Sequence, residues 1–143
     1  MSSNEIKFGS LRERIAFEKA ERAKLRAKFA QDMEAAWIHA DAVARAMQPT
    51  PMVVHNPATG AVHVVPDGVC GFAHVTIRPR TCKLARFAIE ELGWRSNSWH
   101  KRAELSIQEF GQSLARKEKL AEEFAKKMNE LGHSEVSWDS RID

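Results

Sequence analysis

The residues of this chain best suited to chemistry are one ring and a set of cations. Phe72, Arg78, Arg80, Lys101 and Arg102 fall on or beside stretches with the two-residue alternation of β-strands, and Lys83 and Arg86 follow in a helical stretch. An aromatic ring on an open sheet stacks on a nucleobase of any sequence, while guanidinium and ammonium groups contact phosphate. The set therefore reads as a single-strand platform, with Lys83 and Arg86 as outer phosphate contacts. The plainer reading is that the N-terminal helix covers Phe72 and the cations are ordinary solvated side chains, as most charged residues are.

Other chemistries find less support. His55, His63 and His74 fall on consecutive predicted strands, but no carboxylate accompanies them at a telling spacing. They read as scattered surface histidines rather than a metal site. Cys82 sits at the start of a predicted helix between Arg80 and Lys83. Amide dipoles and positive charge there predict a lowered thiol pKa. A nucleophile also needs a base and an oxyanion site, and neither is identifiable, so a packing cysteine is the simpler reading. No phosphate-loop glycine spacing, Ser/His/Asp arrangement or paired-carboxylate motif is present, and the expectation is a non-enzymatic protein without cofactor or metal.

The segment Cys70-Gly71-Phe72-Ala73-His74-Val75-Thr76-Ile77 resembles the RNP1 strand of RNA-recognition domains, in which stacking aromatics alternate with core residues. Phe72 and His74 would occupy the stacking positions. Cys70 stands where that strand has a basic residue, and His74 and Ile77 replace aromatics. A hairpin precedes the segment where the fold of those domains requires a first strand, so the complete domain is not expected.

The elements that would position these residues begin with a helix capped by Ser10, running from Leu11 to about Met47 and ended by Pro49 and Pro51. From Phe29 onward, Met33, Ala36, Trp37, Ala40, Val43, Ala44 and Met47 recur at the three- and four-residue spacing of a helix packed on a core. The first half has only Leu11, Ile15 and Phe17 among dense charge, so it is expected to project or to pair with another chain. Met52–His55 and Ala61–Val65 predict a β-hairpin with a five-residue loop, followed by a turn at Pro66-Asp67-Gly68. Gly71–Arg78 predicts a third strand, with Ala73, Val75 and Ile77 on one face and Phe72, His74, Thr76 and Arg78 on the other. Thr81 caps a predicted helix through Leu92, stopped by Gly93, and Trp94–Trp99 reads as a polar loop. Lys101–Phe110 predicts a strand, Ser113 caps a helix to Leu131, and Ser134–Trp138 adds a last short strand.

The expected fold class is thus α+β. A long N-terminal helix precedes a mixed sheet of about four to five strands with two helices packed on one face, in the order α-β-β-β-α-β-α-β. Residues 1–48 form the basic helix, its second half docked on the core, and 49–143 a single α+β domain. At 143 residues, with 43% hydrophobic and 29% charged composition, the chain suits one folded core and not a disordered polymer. The net charge of +3 is unevenly spread. Residues 4–28 carry eight bases against four acids, and residues 78–102 seven against two, which would attract phosphate. Glu13, Glu18 and Glu21 interrupt the first basic stretch at pairing distance along the helix, which favours solvated ion pairs there. No run approaches the roughly 18 apolar residues of a membrane span, and the charged N-terminal segment lacks a signal-type apolar core. No membrane partner is expected, cytoplasmic residence follows as the default, and Cys70 and Cys82 are expected as reduced thiols.

Pro49-Thr50-Pro51-Met52-Val53-Val54, Val65-Pro66-Asp67-Gly68-Val69-Cys70-Gly71-Phe72-Ala73, Gln112-Ser113-Leu114-Ala115-Arg116-Lys117-Glu118 and Ser140-Arg141-Ile142-Asp143 resemble a set of small bacteriophage and prophage proteins over about the last two-thirds of the chain. The resemblance implies a context and no activity: a protein made in the cytoplasm of an infected bacterium, as an accessory factor or a minor virion part. The functional expectation is a phage-type accessory binding protein contacting single-stranded nucleic acid through a basic and aromatic sheet face. The alternative is a protein-interaction, inhibitor or minor structural factor that oligomerises or docks through residues 11–47.

Overall fold

A computed structural model describes residues 9–66 and 68–142 of the chain. It has three helices, α1 (Leu11–Ala46), α2 (Lys83–Leu92) and α3 (Leu114–Glu130). Its six strands are β1 (Met52–His55), β2 (Val62–Val65), β3 (Gly71–Ile77), β4 (Arg95–Asn97), β5 (Arg102–Ser106) and β6 (Val136–Ile142). The chain is α+β, with the long N-terminal helix expected. Asp67 of the expected turn, the first eight residues and Asp143 lie outside the described residues.

Ser10 caps α1 with extended backbone, its Oγ accepting from the Glu13 amide at 3.2 Å, and the Glu13 carboxylate accepts from the Gly9 amide at 2.9 Å. The first of these bonds satisfies a donor that a helix start otherwise leaves free. The two halves of α1 differ as their patterns predict. Phe29, Met33, Ala36, Ala40 and Ala44 are buried at helical spacing, whereas residues 9–24 are all exposed. The docked half runs antiparallel to α3. Asp32 meets His133 beyond the end of α3, His39 meets Glu123, and Arg116 donates to the Met47 carbonyl. Phe29 packs on Phe87 of α2, ring centroids 5.8 Å apart, and Trp37 meets Phe124 of α3 edge-on at 6.0 Å.

Strands β1 and β2 pair only with each other, so the predicted hairpin forms a small sheet of its own. The main sheet has the order β4-β5-β3-β6, with every neighbouring pair antiparallel. Since β3 and β4 both run against β5, they are parallel to each other with α2 between them in the chain. Likewise β5 and β6 are parallel through α3. The unit β3-α2-β4-β5-α3-β6 is therefore two interlocked split β-α-β motifs, the ferredoxin-like connectivity. Three details depart from expectation. The stretch read as a polar loop after Trp94 contains β4, the predicted strand from Lys101 to Phe110 is confined to Arg102–Ser106, and the last strand runs on to Ile142.

The inward face of β3 is as predicted, with Ala73, Val75 and Ile77 fully buried. They pack with Ala103 and Ile107 from β5 and its continuation, against Leu84 and Phe87 of α2 and Leu120, Phe124 and Met128 of α3. Each large side chain so buried contributes about 1.5–3 kcal/mol. Helix α1 docks on this helical side. The opposite face of the sheet, which carries Phe72, His74 and Thr76, has none of the described helices packed over it.

Candidate nucleic-acid interface

The antiparallel register sets which side chains share the uncovered face. Thr76 pairs with Glu104 on one side and Ser137 on the other; His74 pairs with Ser106 and Asp139; Phe72 pairs with Arg141; Arg95 of β4 pairs with Glu104, and Asn97 with Arg102. Alternation across a pleated sheet then places all of them outward.

Arg102 does not behave as a phosphate contact. It is only 6% exposed, and its guanidinium Nη1 donates to Asp139 Oδ2 on β6. Because Ala103 lies opposite Ile77 and Asp139 opposite His74, the Arg102 side chain must cross β3 diagonally above Thr76. That crossing explains why Thr76, an outward residue on an uncovered face, is 1% exposed. Glu104 is buried beneath the same side chain and accepts from Asn97 Nδ2. Desolvation pushes the Glu104 carboxyl up, but the Asn97 hydrogen bond and the Arg102 charge outweigh it and hold the group below the usual carboxylate range. His74 is wedged between the two acids, Nδ1 3.3 Å from Asp139 and Nε2 3.7 Å from Glu104. The centre of the face is a knit polar network and not an aromatic platform.

Phe72 is half-buried, and the leading helix does not cover it. Its ring already has two cations, the Arg141 guanidinium carbon 5.0 Å from the centroid and Lys117 Nζ at 5.7 Å. Lys117 also donates to the Gly71 carbonyl at 3.4 Å. The ring is thus a partner for protein cations, and the exposed Arg141 beside it is the group free to meet a ligand.

At the other end of the face, the sequence reading missed the most exposed large hydrophobic side chain among the described residues. Trp99 is 88% exposed, in the turn joining β4 to β5. That turn is fixed by its backbone. The His100 amide donates to Asn97 Oδ1 at 2.9 Å, Arg78 Nε donates to the His100 carbonyl at 3.3 Å, and the Arg80 amide donates to the Lys101 carbonyl at 3.1 Å. The backbone of Arg80 and the side chain of Arg78, two of the predicted contacts, are therefore tied to the turn that carries Trp99 and Lys101. Lys101 holds a positive φ of 54°, and both it and Arg78 are exposed. Arg95, exposed on β4 rather than in the expected polar loop, adds a further cation. The available signal was a tryptophan in a polar stretch with no apolar stripe to join.

Lys83 and Arg86 belong elsewhere. They line a cleft of about 760 Å³ between α1 and α2 with Phe17, Glu18, Glu21, Arg22 and Leu25, on the helical side of the molecule. Nothing brings them to the sheet face, so they are not outer contacts of the same strand. Cys82, and not Thr81, caps α2, its Sγ accepting from the Ala85 amide at 3.4 Å. Its pKa is raised rather than lowered. Desolvation is the largest effect, and hydrogen bonds from the Ala85 and neighbouring amides do not offset it. His55 and His63 lie exposed on the separate hairpin and do not converge with His74 on the main sheet.

Compared with known proteins, the chain matches no protein-family model, no curated protein and no solved structure.

Proposed function

We propose that the chain is a non-enzymatic accessory protein, of the phage type its sequence resembles, that binds single-stranded nucleic acid along the uncovered sheet face. The observation that carries this reading is Trp99, almost fully exposed on a turn pinned by hydrogen bonds to Arg78 and Arg80 and followed directly by Lys101. An exposed indole removes a large apolar face from water when it stacks on a base. Cations around it hold the adjacent phosphates. Arg95 and Arg141 extend the positive edge along the face, while Arg102, held by Asp139 and Glu104, supports the surface without contacting phosphate.

Fluorescence-anisotropy titration of a labelled single strand tests the reading. Affinity falls steeply as salt rises, because bound cations release counterions from the strand. Replacing Trp99 by Ala weakens binding by about 1–3 kcal/mol. Lys101→Ala lowers the logarithmic salt slope by about one, whereas Lys83→Ala and Arg86→Ala leave it unchanged. Flat titrations at low salt overturn the reading.

A second reading rests on a separate feature. Leu11 and Ile15 are 72% and 56% exposed on the first half of α1. A protein partner or a second copy could cover them. Light scattering of the full chain over a concentration series addresses self-association, and a monomer throughout removes it.

A further inference from the structure

Between the two ends of the sheet face lies a cleft of about 350 Å³, at the lower end of the size of small-ligand sites. Its rim carries the guanidinium groups of Arg95 and Arg141, and its floor carries His74, Arg102, Glu104 and Asp139. The two regions ask for different chemistry. Guanidinium groups only donate and favour an anion, whereas ionised carboxylates only accept and favour N–H groups.

The floor keeps unused capacity. Each carboxylate oxygen has room for about two hydrogen bonds. Glu104 Oε2 has His74 as a neighbour only at 3.7 Å, and Asp139, with its side chain 44% exposed, opens to the cleft. Arg102 Nε, on a side chain only 7% exposed, makes no hydrogen bond among the described residues; Glu104 Oε1 stands 3.6 Å away. A buried donor without a partner beside acceptors with spare lone pairs is complementary to a ligand edge that alternates acceptor and donor.

Resting on the single-strand reading above, we infer that this cleft takes one nucleotide of the bound strand, its phosphate at Arg95 or Arg141 and its base edge on the floor, and that it prefers bases with an exocyclic amine. An amine supplies two N–H donors to the Asp139 and Glu104 carboxylates, with a neighbouring ring or carbonyl acceptor for Arg102 Nε. Thymine and uracil supply a single N–H and present a carbonyl where cytosine has its amine. That carbonyl oxygen would face an ionised carboxylate, which repels it.

Oligo-dC and oligo-dT of about 15 nucleotides separate the two cases, since both are weakly stacked pyrimidine strands. Anisotropy titrations at one salt concentration are expected to show oligo-dC bound about tenfold more tightly, the effect of one additional charge-assisted hydrogen bond. In Asp139→Asn the preference falls towards unity. Equal affinities in the native protein, or a preference for oligo-dT, overturn the pocket but leave strand binding by the face standing. A preference that survives in Asp139→Asn also overturns it. Absence of binding to either strand overturns the strand reading and the pocket together.

Discussion

The guanidinium of Arg102 reaches across the central strand β3 to Asp139 on β6, and the outward residue beneath it, Thr76, is sealed from solvent. The two partners are 37 residues apart in sequence. Their pairing ties β5 to β6 across β3, so the middle of the sheet face is held by charge and hydrogen bonding where the other face is held by apolar packing.

That arrangement makes Arg102 a structural residue. Arg102→Ala leaves the buried Glu104 carboxylate without its cation, and removing one member of a buried pair is expected to cost about 3 kcal/mol. Lys101→Ala, one position earlier and exposed, changes stability by less than about 0.5 kcal/mol. Urea denaturation midpoints of the two variants measure the contrast. Similar small shifts in both would contradict the network.

Acid should weaken the fold through three carboxylates. Desolvation pushes Asp32, Glu104 and Glu123 up, but in each case other groups outweigh it: Lys28 and His133 around Asp32, Asn97 and Arg102 around Glu104, His39 and Lys119 around Glu123. All three pKa values are lowered on folding, so their stabilisation is fully present above the unfolded carboxylate range, near pH 4, and is lost as pH falls through the lower folded values. Thermal melts between pH 7 and pH 2 are expected to lose stability mainly at the acid end. Asp32→Asn, which cannot ionise, should start less stable at neutral pH and show a shallower decline.

Gly71 on β3 admits no side chain. An added Cβ would stand 2.5 Å from the Arg141 carbonyl oxygen and 2.9 Å from Leu114 Cδ1, so the β6 backbone would have to move and the Leu114 side chain to give way. Gly71→Ala is expected to destabilise by about 1–3 kcal/mol. A melting temperature equal to that of the native protein would show that the close approach of the three elements is not required.

The exposed half of α1 should be dispensable for folding. A chain beginning at Phe17 keeps Leu25, Phe29 and the whole docked half, and its stability should change by less than about 0.5 kcal/mol. Removing α1 entirely exposes Phe87 and Phe124, which Phe29 and Trp37 cover, and should abolish cooperative unfolding. Circular dichroism melts of the two truncations distinguish these outcomes.

Much of the architecture was legible because local signals agreed with global packing. The stripe from Phe29 to Ala44, the caps Ser10 and Ser113, and the alternation of Ala73, Val75 and Ile77 each state a periodicity and a face. Strand β4 was not legible. Arg95-Ser96-Asn97 has no apolar alternation, and its extended form comes from pairing with β5 at the sheet edge. The candidate site was half legible. Arg78 and Arg80 are tied to the turn that carries Lys101, but a charged side chain carries no mark of whether it will meet solvent or a partner 37 residues away, so Arg102 was misread. Lys83 and Arg86 were misplaced because helix α2 turns them towards α1. Cys82 was misread for a related reason: the same helix start that offers amide dipoles also buries the thiol, and burial dominates.

The most direct test of the central claim is amide chemical-shift mapping of the isotopically labelled protein during titration with a single-stranded oligonucleotide. The account predicts perturbations concentrated at Arg95–Arg102, Arg78–Arg80 and Arg141, with the indole signal of Trp99 among the largest and the docked half of α1 unmoved. Shifts centred on Lys83 and Arg86 in the cleft between α1 and α2, or no shifts at all, would contradict it.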